Sequence, residues 1–219
     1  MSSVRSGLAF LTLLVSVVAA APQTPPPQAP PLPPSGAQPP TPQPSGRGGG
    51  RGRGGVQIMT LTSPAWPDGG QIPAKCSQAG GDVSPALSWS NAPDTAASFV
   101  LLVHDLDGAA GSGFDDTLQW LLWNIPGAAR ALPEHVPQGG SLLDGSRQIS
   151  VTGPNYRAPA APASGPAHHY VFELFALDTM LDVPAVGASP AQTRAAVVAA
   201  MAGHVRGKGV YTGLFKRTE

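Results

Sequence analysis

A single cysteine, Cys76, in a chain of 219 residues excludes an internal disulfide, so stability has to come from packing. No apolar stretch is long enough to cross a bilayer: the strongest, residues 8–18, has eleven residues where a spanning helix needs about 20. Charge is scarce, at 12% of residues, and sums to zero. That zero hides a division. All thirteen acidic residues follow Val56, but only nine of the thirteen Lys and Arg do, which leaves the later part at −4. A net acidic domain is a poor partner for nucleic acid. There is no internal repeat. There is no HExxH, and Ser112 sits in GSG without a GxSxG elbow or its strand-to-helix setting. Asp105-Leu106-Asp107-Gly108 starts like a calcium loop, but Ala109 breaks the ligand ladder. No activated nucleophile, metal set or cofactor motif is evident, and a non-enzymatic protein without cofactors is expected.

Proline and glycine are abundant instead, at 26 and 27 residues. They divide the chain. Residues 1–21 have the build of an export signal: Arg5, the apolar stretch 8–18, then Ala19, Ala20 and Ala21, with cleavage expected after Ala20. Residues 22–55 are a proline-rich and then glycine-rich tether that cannot bury apolar area. Its three arginines, Arg47, Arg51 and Arg53, are read as solubilising, with mild attraction to an anionic surface. Residues 56–219 remain for one domain, and peripheral membrane contact is compatible with this layout.

In that domain, turn signals recur about every ten residues between short apolar runs, the pattern of an antiparallel β-sandwich. Strands are expected at 56–61, 71–76, 86–90, 98–103, 119–125, 148–151, 170–177 and 210–214. One helix is expected after Ser189-Pro190, an N-cap followed by proline, with Arg194, Val197, Val198, Met201 and Val205 at helical spacing and Gly203 and Gly207 as stops. Residues 153–165 carry Pro154, Pro159 and Pro162 and form a long irregular loop; loops of that length are functional or disordered.

Two strand ends collect polar residues. Asp105 and Asp107 follow the apolar strand 98–103, and His168-His169-Tyr170 opens the strand 170–177. Carboxylates at the end of a buried strand need compensation nearby. If the two ends meet, an aspartate favours a protonated imidazole, which can donate to a phosphate oxygen. The bland alternative is a satisfied structural pair. Consecutive strand residues face opposite ways, so His169 is expected in solvent, and so is His104, pointing away from Asp105. Cys76 is expected to be a small buried or half-buried residue, and His204 a helix-end partner.

Several segments together resemble the phosphatidylethanolamine-binding protein family, in its bacterial branch similar to Raf kinase inhibitor protein. They are LTSPAWPDGGQ (61–71), DVSPALSW (82–89), HDLDGAAGSG (104–113), WLLWNIP (120–126), YRAPAAPASGPAHHYVFELFALD (156–178) and GHVRGKGVYTGLFKR (203–217). The resemblance implies a β-sandwich with a small, solvent-open pocket for phosphate-like groups, phospholipid headgroups included. It places Asp105, Asp107, His168 and Tyr170 in the pocket, with Pro159 and Pro162 on its rim. Leu106 replaces the family's loop proline. Gln119 stands where the family has a second pocket histidine and offers a neutral donor in its place. The function implied is binding of a small anionic or phosphorylated ligand. The other function the family offers is a protein-interaction module that inhibits or modulates a protease or kinase.

Overall fold

Strands with no polar face need cover on both sides, and the two longest strands obtain it. The computed structural model describes residues 55–110 and 113–218. The expected export signal and, apart from Gly55, the expected tether lie outside these residues. In chain order the strands are β1 (Gln57–Ile58), β2 (Thr60–Thr62), β3 (Gly70–Gln71), β4 (Leu87–Ser90), β5 (Ser98–Ala110), β6 (Asp115–Pro126), β7 (Ala131–Leu132), β8 (Arg147–Ile149), β9 (His168–Leu177) and β10 (Val205–Phe215), with helix α1 (Pro190–Met201) before β10. The larger sheet runs β1-β10-β9-β5-β6-β8, with β3 also on β10, and the smaller runs β2-β4-β7. Pairing is antiparallel except that β1 and β3 lie parallel to β10.

Leu61, Leu87, Trp89 and Leu132 of the small sheet pack against Phe99, Leu101, Trp120, Leu122, Phe172 and Leu174 of the large one. This is the sandwich expected from the turn spacing. The other face of the large sheet, through Val100, Leu102, Leu121 and Trp123, packs against Val197 and Met201 of α1 and against Leu181 and Val183. The large sheet is therefore the middle of three layers.

Some strands run longer than local pattern suggests. β5 continues past Val103 to Ala110 because its polar residues find partners across strands: His104 with Asp116, Asp105 with His168, Asp107 with His169. β10 spans eleven residues rather than 210–214. Its glycines hide it from sequence, yet a Cβ on Gly213 would lie 2.5 Å from Ile72 and 2.7 Å from the Trp66 indole nitrogen. They are there for close approach. Residues 56–61 divide between β1 and β2, which join different sheets. Residues 71–76 are not one strand: after β3 the chain makes a 3-10 turn at Ala74–Cys76. Cys76 is fully buried, and burial pushes its thiol pKa up, as suits an inert packing residue.

Helix α1 starts where the cap signal placed it. Gln192 donates its backbone N–H to Ser189 Oγ (3.3 Å), and Gln192 Oε1 accepts the Ser189 N–H (3.0 Å), a complete capping box. Ser189→Ala should lower stability by about 1 kcal/mol, read as a lower Tm in thermal unfolding. Val198 faces solvent, and Val205 belongs to β10 rather than to the helix.

His104 is not in solvent. It is 9% exposed, on the face covered by α1, with a carboxylate against each ring nitrogen. Nδ1 lies 2.5 Å from Asp116 Oδ2, and Nε2 lies 3.3 Å from Glu173 Oε2, close enough for ion pairing but not aligned as a hydrogen bond. Arg194 of α1 forks onto Asp116, and Lys208 reaches Glu173 at 2.6 Å. Burial pushes the His104 pKa down, but Glu173 and Asp116 outweigh it, and the net shift is upward. His104, with help from Lys208, holds Glu173 down to about 2, against the opposing effect of burial. Five charged groups from β5, β6, β9, β10 and α1 thus fasten the helix to the sheet.

Candidate functional site

The end of the large sheet where β5 and β9 pair carries the candidate site. Asp105 and Tyr170 are register partners, and His168 lies two residues before Tyr170 on the same face. Both Asp105 oxygens face His168 Nδ1, at 3.1 and 3.0 Å. The carboxylate is 6% exposed and the imidazole 21% exposed. A desolvated carboxylate needs a donor, and Nδ1–H supplies it. That fixes the ring and turns Nε2 away from the acid. The two strand ends, some sixty positions apart in sequence, therefore meet.

Asp105 Oδ1 also accepts the Asp107 backbone N–H at 3.0 Å. The Asp107 side chain is engaged elsewhere: Oδ2 accepts the His169 backbone N–H (2.6 Å) and faces His169 Nδ1 (2.8 Å). These bonds hold the Asp107 carboxyl below the usual range. His169 is largely exposed, as its alternation with His168 implied.

Tyr170 is buried, its ring 6.5 Å from that of His168. Its hydroxyl accepts the Ala160 backbone N–H at 3.3 Å. Burial and the neighbouring Asp105 push its pKa up, so it stays a neutral phenol.

The loop ahead of β9 is irregular but tied down. Tyr156 packs edge-on against Trp120 (5.3 Å) and donates to the Cys76 carbonyl (3.2 Å). Ala158 N–H donates to Asp82 Oδ1, Gln78 N–H to the Pro159 carbonyl and Arg217 N–H to the Ala161 carbonyl. Pro159 and Pro162 lie within this anchored stretch. Each anchoring donor is supplied by a residue other than proline.

Gln119 is 2% exposed and sits at a bulge in β6. Val103 pairs Trp120 while His104 pairs Leu118, and Trp120 and Leu118 belong to opposite faces. Gln119 is thus the extra residue, and its backbone carbonyl accepts the Arg157 N–H at 3.0 Å. Its side-chain Oε1 accepts from Arg157 Nη1 at 3.3 Å. Sequence reasoning passed over Arg157. The signal available was modest: it is the only Lys or Arg between Arg147 and Arg194, and it lies inside the proline-rich loop.

Hollows lie elsewhere, of about 380 Å³ beside Leu132, Val136 and Leu142, and of about 470 and 580 Å³ on either flank of α1. None of these is lined by Asp105 or His168.

The family model described as phosphatidylethanolamine-binding protein matches residues 62–216. The chain belongs to this family. A UPF0098 protein of Methanothermobacter thermautotrophicus is 37% identical over 161 residues, covering 73% of this chain and 99% of the relative. A relative with a lipoprotein name, LppC of Mycobacterium tuberculosis, is 33% identical and covers 72% of this chain and 74% of its own. The solved phosphatidylethanolamine-binding protein homolog CT736 of Chlamydia trachomatis superposes with a TM-score of 0.61 at 28% identity, covering 73% of this chain and 98% of that one. YbcL of E. coli, with a TM-score of 0.61 at 23% identity over 73% of this chain and 99% of its own, shares the fold. Membership in the phosphatidylethanolamine-binding protein family fits the three-layer β architecture and a binding role.

Proposed function

We propose that this phosphatidylethanolamine-binding protein family member is an exported, non-enzymatic binding protein whose site takes a small anion carrying a phosphate group. The observation that carries the reading is the Asp105–His168 pair. A buried carboxylate orients a half-exposed imidazole and leaves Nε2 free to donate to a ligand oxygen. Gln119 and the anchored loop containing Pro159 and Pro162 border the same end of the sheet. The family name points to phosphorylated headgroups. Export is supported by the amino-terminal sequence pattern and by the lipoprotein name of the mycobacterial relative.

The test is a calorimetric titration of the full chain with inorganic phosphate, paired with NMR shift mapping. Saturable heat with shifts centred on His168 and the Ala160 amide supports the reading. Absence of heat, or shifts confined to the flanks of α1, removes it.

A further inference from the structure

Arg157 holds Gln119 twice. Its backbone N–H donates to the Gln119 carbonyl at 3.0 Å, and its Nη1 donates to the side-chain Oε1 at 3.3 Å. The first bond ties the loop to the bulge in β6. The second decides which end of the Gln119 amide looks outward. An amide has an acceptor end and a donor end of nearly equal shape, so its partners settle its orientation. A guanidinium is always charged and only donates. The end against Arg157 is therefore the oxygen, and the NH2 faces away from it.

The pairing of β6 sets what lies on that side. Thr117 pairs with Asp105 and Trp120 with Val103, and Trp120 shares the core layer of Tyr170. Leu118 belongs to the opposite face, so Gln119, the bulged residue after it, turns back to the face of Asp105, Tyr170 and His168. Gln119 is 2% exposed, and the bond to Arg157 is its side chain's one hydrogen bond among the described residues. Its NH2 is nevertheless not sealed in: the sealed side-chain nitrogens without partners there are those of Trp89 and His104. Buried amides ordinarily have both ends satisfied. An oriented NH2 without a protein partner, at the edge of the site, is a donor left for a ligand.

We infer that Arg157 is a positioning residue and Gln119 a specificity-determining one: Arg157 holds the Gln119 amide so that its NH2 donates to a phosphate oxygen beside His168, and Arg157 acts on the ligand through Gln119. The inference rests on the anion-site reading above. The group a ligand presents at Gln119 is then an acceptor, never an amine. Without the guanidinium the amide can turn over, and its oxygen meets the phosphate oxygen, acceptor against acceptor. An Arg157 that merely anchored the loop would not act this way, because its backbone bond to Gln119 survives a side-chain change. The same phosphate chemistry arises in soluble esters and in lipid headgroups, and two model esters separate them.

The experiment titrates the full chain by calorimetry with methyl phosphate, for a soluble ester, and with dimethyl phosphate, for the lipid linkage. The ester that wild type holds more tightly names the source and serves for the variants. R157M should weaken binding about tenfold with little change in Tm, and R157K, which still donates, should keep most of the affinity. Q119M should lose at least as much as R157M, and the double variant should bind no worse than Q119M alone, because Arg157 has no other route to the ligand. In nitrogen-edited NMR the Gln119 NH2 signals, identified by their absence from Q119M, should shift as wild type is titrated. An R157M that binds like wild type, a double variant weaker than Q119M, or Gln119 NH2 signals that stay put while those of His168 move overturns the inference and leaves the site reading standing. Should R157M not fold, R157K and the wild-type NH2 signals decide it: an R157K as weak as Q119M, or unmoved NH2 signals, overturns it. A wild type that binds neither ester removes the site reading and this inference with it.

Discussion

His168→Ala should reduce phosphate affinity about a hundredfold, and Asp105→Asn should approach that loss without Asp105 touching the ligand. The imidazole presents a ring donor from the start of β9, and the carboxylate at 3.0 Å from Nδ1 keeps it oriented. The two effects should not add. With His168 gone there is no ring left to orient, so the double variant should bind no worse than His168→Ala alone. Stability should move differently. His168→Ala strands a carboxylate that is 6% exposed, and losing one partner costs more than losing both. The double variant should therefore regain stability that His168→Ala loses, while binding stays lost. Calorimetric titration and urea unfolding of the three variants separate the two readouts. A His168→Ala protein that binds phosphate normally contradicts the account.

Arg194→Ala should loosen α1 from the sheet and lower stability by about 2 kcal/mol. Breaking a fully buried pair costs about 3–5 kcal/mol, and this one keeps side-chain exposures of 27% and 20%. The ion network also predicts a pH profile. Asp116 and Glu173 have lowered pKa values, Glu173 to about 2. Their contribution is present above the ordinary carboxylate range and fades as pH falls through it toward 2. His104 has a raised pKa, so its contribution is full below the ordinary imidazole value and fades as pH rises through the raised one. Stability should plateau between those limits and fall on both sides. Urea midpoints measured across pH for wild type and His104→Gln test this. The alkaline limb should flatten in the variant, and an alkaline limb equal to that of wild type contradicts the role given to His104.

What the sequence showed and what it hid follow from where each residue's partner lies. The cap of α1 was legible because Ser189 and Gln192 are three residues apart. The meeting of Asp105 and His168 was legible because both sit at ends of strongly apolar strands, and costly polar groups there call for each other. His104 was misread as solvent-facing because nothing local shows that α1, ninety residues later, covers that face of β5. The length of β5 was hidden for the same reason: His104, Asp105 and Asp107 interrupt an apolar pattern, and their partners come from β6 and β9. Arg157 was invisible as a site residue because its partner Gln119 is 38 positions away and reaches it only through a bulge that periodicity does not reveal.

The most direct measurement is a crystal structure of the domain soaked with methyl phosphate. The account predicts phosphate density within hydrogen-bond distance of His168 Nε2, facing Gln119 and Arg157, with Asp105 still on Nδ1. Density absent from that end of the sheet, or found instead in the hollows beside α1, would contradict it.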